Sequence, residues 1–196
     1  GRRESCEAMR LWSHRGFLVQ HVLDLLAHAQ MDIYEGDGQG AHRRVTTDWP
    51  FLQDSLHMRV KIVRASMWSL RGRCALAAAL ERPRDARYLV RLARQDARRL
   101  RKERTRYATS LAHILEAGIA ASESRPEDAA VLLAAAEAAF DAQEMKLHAA
   151  SARWQRGRLI AGNEGQALAA RAAREMTECG VLRPERFAPV FATGFR

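Results

Sequence analysis

Histidines and carboxylates at helical spacing are the raw material of metal sites and acid–base catalysis, and this sequence carries one such set early on. His21, Asp24 and His28, with Asp32 a turn further on, share one face if the segment is helical. A zinc pair on a helix needs ligands at i and i+4. His21 and His28 are instead separated by roughly 10 Å along the axis at a rise of about 1.5 Å per residue. The set therefore reads as a polar face lining a groove. His113 and Glu116 form a similar pair one turn apart, and His14, His42, His57 and His148 stand alone. No serine, threonine or cysteine sits beside a histidine in a nucleophile arrangement, so no catalytic residue, metal or cofactor is assigned. Cys6, Cys74 and Cys179 form no C-x-x-C pair and are odd in number, which fits a reducing compartment rather than a disulfide framework.

The second set is cationic. Arg84, Arg87, Arg91, Arg94, Arg98 and Arg101 step by three or four along one helix, beside an apolar face of Ala86, Leu89, Val90, Ala93, Ala97 and Leu100. Planar guanidinium groups suit carboxylate and phosphate partners. Lys61, Lys102 and Lys146 are the only lysines behind a net charge of +9, so arginine-rich composition alone accounts for much of the basic balance. Tyr88 is the one aromatic interleaved with the stripe, and no helix-turn-helix reading helix accompanies it. The stripe reads first as a solvated outer face partly neutralised by Asp85, Asp96 and Glu103, and next as a surface for protein or phosphate, ahead of nucleic acid, which stays as the alternative.

These side chains must be positioned by helices. Alternation of period two is absent, alanine is abundant, and 47% of the 196 residues are apolar, enough for a sizeable core. The periodicity predicts helices over about Arg3 to Trp12, Phe17 to Tyr34, Gly40 or Ala41 to Thr46, and Phe51 to Leu80, with a bend at Trp49-Pro50. Further helices are expected from Pro83 to Lys102, Tyr107 to Ser122, Glu127 to Gln143, Met145 to Ala161, and Glu164 to Glu178, where Gly180 caps. A short helix from Pro184 to Val190 follows, and Ala192 to Arg196 should fray. Gly72 marks a kink or a close crossing, and Trp12, Trp49, Trp68 and Trp154 are expected as packing anchors. No apolar run approaches the roughly 18 residues of a membrane span. The chain opens on Gly1 without an initiator Met, which suggests part of a longer polypeptide.

The helices repeat. Trp68-Ser69-Leu70-Arg71-Gly72-Arg73 is echoed by Trp154-Gln155-Arg156-Gly157-Arg158, and Ala41, Ala86, Ala129 and Ala167 each open a second helix at intervals of 45, 43 and 38 residues. Ala93 and Ala136 extend a thin seam along which helices can approach. This pattern resembles the tetratricopeptide-type repeat. It is also similar to the helical-repeat region at the C-terminal end of large bacterial serine/threonine protein kinases and related ATPase-containing regulators. The residues that carry this second likeness are Ile33-Tyr34-Glu35-Gly36-Asp37, Trp49-Pro50 with Ser55, Arg71-Gly72-Arg73, Gly180, Pro184-Glu185-Arg186 and Gly194-Phe195. The kinase's own motifs are absent, and Gly36-Asp37-Gly38-Gln39-Gly40 lacks the ending of a P-loop.

The expectation is an all-α fold of about eight to ten helices, as antiparallel pairs stacked in a TPR-like right-handed α-solenoid. It forms one helical-repeat domain over 1–196, with pairs at about 17–46, 51–102, 107–143 and 145–178 and a C-terminal cap at 181–196. The resemblance implies a cytoplasmic, non-enzymatic sensory or scaffolding region that binds proteins, peptides or neighbouring domains of its parent chain and no membrane. First helices would line the concave surface through His21, Asp24, His28, Arg64, Arg71, Tyr107, Ser110, His113, Ser151, Gln155 and Arg158.

Overall fold

The computed structural model of the chain describes residues 2–10, 12 and 16–195. Among them are ten α-helices, one 3-10 turn (Leu56–Arg59) and no strand. The helices are α1 (Arg2–Met9), α2 (Val19–Glu35), α3 (Gly38–Asp54), α4 (Lys61–Glu81), α5 (Ala86–Lys102), α6 (Arg106–Ser122), α7 (Pro126–Asp141), α8 (Lys146–Leu159), α9 (Gly162–Glu178) and α10 (Pro184–Phe191).

Each helix packs on the one before and the one after it. Apolar spacing dictates which face is used: α2 buries Val22, Leu25, Ala29 and Ile33, three or four apart, and stops where Gly36 turns left-handed at φ 85°. The reversals after α5, α6 and α7 share one device, a non-glycine residue at positive φ: Arg104 (52°), Ser124 (58°) and Glu144 (57°). Thr105 then caps α6, its hydroxyl accepting from the Ala108 amide at 3.2 Å. Glu81, at the end of α4, accepts from the amides of Gly38 and Gln39 at 2.5 and 3.2 Å and so ties down the start of α3.

Fully buried alanines, among them Ala41, Ala93, Ala112, Ala129, Ala136 and Ala152, let the helices approach, while Leu100, Leu133 and Phe140 fill the space between them. Gly72 marks a close crossing of α4 and α6, since a Cβ there would come within 2.6 Å of Leu115 Cδ2. Arginine–carboxylate pairs link neighbouring helices. Arg71 holds the fully buried Asp96 at 2.5 and 2.8 Å and lies 3.9 Å over Trp49, connecting α3, α4 and α5. Arg153 on α8 reaches Glu137 (2.8 Å) and Asp141 (3.0 Å) on α7, and also Glu175 on α9.

Several expectations are corrected. No helix ends at Thr46: α3 runs through Trp49-Pro50 to Asp54. Pro50 removes one backbone donor, but Val45, Trp49 and Leu52 make an unbroken buried face, and burying each large side chain returns about 1.5–3 kcal/mol. The break falls later, where Ser55 Oγ donates to the Leu52 carbonyl at 2.6 Å and the 3-10 turn follows. The first pairs therefore span 19–54 and 61–102. The N-terminal helix stops at Met9, and Trp12 is 45% exposed rather than a packing anchor. Ala167 is exposed, and Gly165 is the buried residue of that turn. Ala192, Thr193 and Gly194 do not fray but are buried, because the end of the chain folds back on the helices; Arg196 lies outside the described residues.

Candidate functional site

Residues 184–195 form a strap laid over one side of the even-numbered helices α2, α4, α6 and α8. Pro184 starts α10 in its first turn, where a missing N–H costs nothing. Val190 joins the apolar cluster of Val22, Leu25 and Leu70, and Ala188 packs with Ala150, Ala172 and Met176. Phe191 lies 4.0 Å from the His148 ring, which in turn lies 5.0 Å from Phe140.

The floor grips the strap mainly through its backbone. Arg73 on α4 donates Nη1 to the Val190 carbonyl, and Gln155 on α8 donates Nε2 to the Ala192 carbonyl at 3.0 Å. Ser122 Oγ on α6 lies 3.4 Å from the Gly194 carbonyl. Gly118, one turn before it, allows the closest approach: a Cβ there would stand 2.0 Å from the Thr193 carbonyl oxygen. Two cavities flank the tail and share Leu80, Gly194 and Phe195. One, of about 520 Å³, includes Val90, Ser122, Gln155 and Arg158, and the other, of about 410 Å³, includes Tyr34, Glu81 and Glu185.

The electrostatics of this floor are unusual. The Arg73 guanidinium is buried and has no carboxylate partner among the described residues; its Nε lacks any partner, and the Phe191 ring lies 5.5 Å away. Burial pulls its pKa below the ordinary arginine value, opposed by Cys74 and Tyr107. Burial also pushes the Cys74 thiol up to about 12, so it is no nucleophile at neutral pH. His148 is held down to about 4 by burial and, secondarily, by Arg73.

The sequence-derived candidates are scattered by comparison. Gln155 touches the strap and Arg158 lines the cavity beside it. His21 and Asp24 line a separate cleft of about 850 Å³ with Asp48, Phe51 and His57. There His21 Nδ1 accepts from the Leu18 amide at 3.0 Å, and Asp24 accepts from Ser5 Oγ at 2.7 Å and meets His28 Nε2 at 3.3 Å. Burial raises the pKa of Asp48, aided by Asp24 and opposed by Arg44 and His21. Asp32 sits apart from the cleft: burial would raise its pKa, but hydrogen bonds from Arg44 (2.8 Å) and Arg2 (2.7 Å) outweigh that and lower it.

Arg64 is occupied by Glu103 (2.7 and 2.8 Å) and the Met58 carbonyl, and Arg71 by Asp96. Tyr107 Oη meets Ser66 Oγ at 2.9 Å. Ser110 and Ser151 are buried and donate within their own helices, to the carbonyls of Arg106 and Leu147. His113 is half-buried with Nδ1 unpartnered, its pKa lowered by burial and then by Arg101, with Glu116 opposing. His14 lies outside the described residues. Along the arginine stripe, Arg94 pairs with Glu123 and Arg101 with Glu116, whereas Arg84, Arg87, Arg91 and Arg98 are exposed without an ion pair among the described residues.

Sequence reasoning missed Arg73, Gly118, Ser122 and His148. Only Arg73 had a signal, standing inside the Arg71-Gly72-Arg73 motif. Among the described residues no group of three or more histidine, cysteine or acidic side chains could hold a metal, and no helix is long and apolar enough to cross a membrane. Comparison with protein-family models, curated proteins and solved structures yields no match.

Proposed function

We propose that this chain is a protein-interaction region of helical-repeat type, its antiparallel pairs stacked as a TPR-like right-handed α-solenoid whose α2, α4, α6 and α8 receive a peptide segment. One observation supports this most: that side already holds polypeptide, its own residues 184–195, through backbone carbonyls. Such recognition constrains the occupant's side chains chiefly where they are buried, as at Ala188, Val190 and Ala192. The setting that goes with the resemblance is a sensory or scaffolding part of a cytoplasmic bacterial signalling protein with a serine/threonine kinase-like parent, binding a protein or a neighbouring domain and catalysing nothing itself.

The test offers a fluorescein-labelled peptide of residues 184–195 to the full chain carrying A188R/A192R. Both alanines are fully buried, so the new side chains have no room and release the strap while leaving the floor intact. Saturable binding is expected, and about tenfold weaker binding to the unmodified chain, whose own strap competes at high effective concentration. Absence of binding to a variant that keeps its helical circular dichroism ends this reading.

The four unpaired arginines of α5 and the turn before it favour a second reading, nucleic-acid association through that outer face. It requires a gel shift at low salt that falls steeply as salt rises and disappears in R87S/R91S/R98S. No shift at low salt removes it.

A further inference from the structure

Arginine is treated by one rule through most of this fold. Each arginine drawn into contact between helices meets a carboxylate: Arg71 has Asp96, Arg64 has Glu103, Arg44 has Asp32, and Arg153 has Glu137. Arg73 breaks the rule and is the arginine beneath the strap. Its guanidinium is removed from water yet meets a neutral carbonyl and an aromatic ring. A charge taken out of water is satisfied by an opposite charge in good geometry far better than by one peptide oxygen.

The neighbouring floor is under-used too. Ser69 Oγ, one turn before Arg73 on α4, and Gln155 Oε1 are buried without hydrogen-bond partners among the described residues. A surface evolved only to seal against apolar core would carry none of these groups. Cavities of about 520 and 410 Å³ lie beside the end of the strap at Gly194 and Phe195. The strap therefore fits the groove in shape and backbone hydrogen bonding but not in charge.

We propose that residues 184–195 are a displaceable stand-in, and that the groove's partner is an acidic peptide segment whose carboxylate takes the place of the Val190 carbonyl on Arg73. The chain's net charge of +9 attracts such a segment at a distance, and Arg73 discriminates once it is seated. The partner displaces the strap because it gives the guanidinium an ion pair, and Ser69 and Gln155 stand ready to meet its further polar groups. The inference rests on the peptide-groove reading above and adds the chemistry of the ligand.

Two labelled peptides of residues 184–195, one carrying F191E and the other F191Q, make a matched pair differing by one charge. The Phe191 ring already lies 5.5 Å from the Arg73 guanidinium carbon, so a glutamate at that position brings its carboxylate to the arginine. Both are titrated against the A188R/A192R chain and against the same chain with R73M added. The glutamate peptide should bind about tenfold tighter than the glutamine peptide, and the preference should fall to about twofold or less with R73M. Equal binding of the two peptides overturns the acidic-partner proposal and leaves the groove reading standing, as does a preference that survives R73M. Failure of both peptides and of the native-sequence peptide to bind overturns both. Should R73M not fold, as judged by circular dichroism, the glutamate–glutamine comparison on the A188R/A192R chain decides alone.

Discussion

Adding one methyl group at Gly118 separates the strap from the rest of the fold. Alanine is the better helix former by about 1 kcal/mol, so G118A on its own helix should stabilise α6. The new Cβ, however, would lie 2.0 Å from the Thr193 carbonyl oxygen, where ordinary contact begins near 3.4 Å, and 2.8 Å from Leu76 Cδ1. The leucine can rotate, but the backbone carbonyl can only retreat, by more than 1 Å. That retreat strains the neighbouring bonds from Gln155 to Ala192 and from Arg73 to Val190. Overpacking of this kind costs about 1–3 kcal/mol, and weakening of the two bonds adds about 1 kcal/mol, so a net loss of about 1–3 kcal/mol remains after the helix gain of about 1 kcal/mol. In hydrogen exchange followed by mass spectrometry, amides of residues 184–195 should lose roughly tenfold to hundredfold protection. The melting temperature should fall by roughly 2–10 °C. Unchanged protection over the strap, with a raised melting temperature, would refute the reasoning, because α6 would then have gained its helix former without meeting the strap.

Three further outcomes follow from the same contacts. His148 has a folded pKa of about 4 against an ordinary 6.5, so the unfolded chain binds its proton more readily between those values; stability is complete above 6.5 and should be lower by about 2 kcal/mol at pH 5, a dependence that H148F flattens in denaturant titrations at pH 7.5 and 5. Asp32, whose pKa is lowered, loses its contribution only as the pH falls below the ordinary carboxylate value near 3.8, so it adds nothing at pH 5; His42 and His113, also lowered by burial, do add to the dependence there, and the part that H148F removes is the share of His148. At the Arg71–Asp96 pair, D96A should cost about 3–5 kcal/mol by leaving a buried cation alone, while R71M/D96L should recover most of that in thermal melts. T105A, removing the cap of α6, should cost about 1 kcal/mol and leave strap exchange unaltered.

The helices were legible because their apolar residues recur every three or four positions and because glycine and proline punctuate them, as at Gly36 and Pro184. Pro50 misled because a proline signals a helix end locally, whereas the buried line of Val45, Trp49 and Leu52 is settled by what lies across from it. The candidate site was less legible for a related reason. Arg64 and Arg71 have the composition of a binding surface, but their carboxylates stand 39 and 25 residues away on the next helix. Arg73, two positions from Arg71, points to the other side of α4, and periodicity alone cannot say which of two polar-tolerant faces is covered by a neighbour and which by a distant segment. The tail itself carries little signature, since the floor holds its carbonyls, which every sequence possesses.

That grip joins Arg73 to Val190 across 117 positions, in a molecule whose other helices touch chiefly their neighbours along the chain. The strap touches α2, early in the chain, and α8, late in it, so it ties together helices far apart in sequence. Releasing it would leave those helices tied chiefly through the ones between them, and the stiffness with which they are held would then report whether the tie is in place.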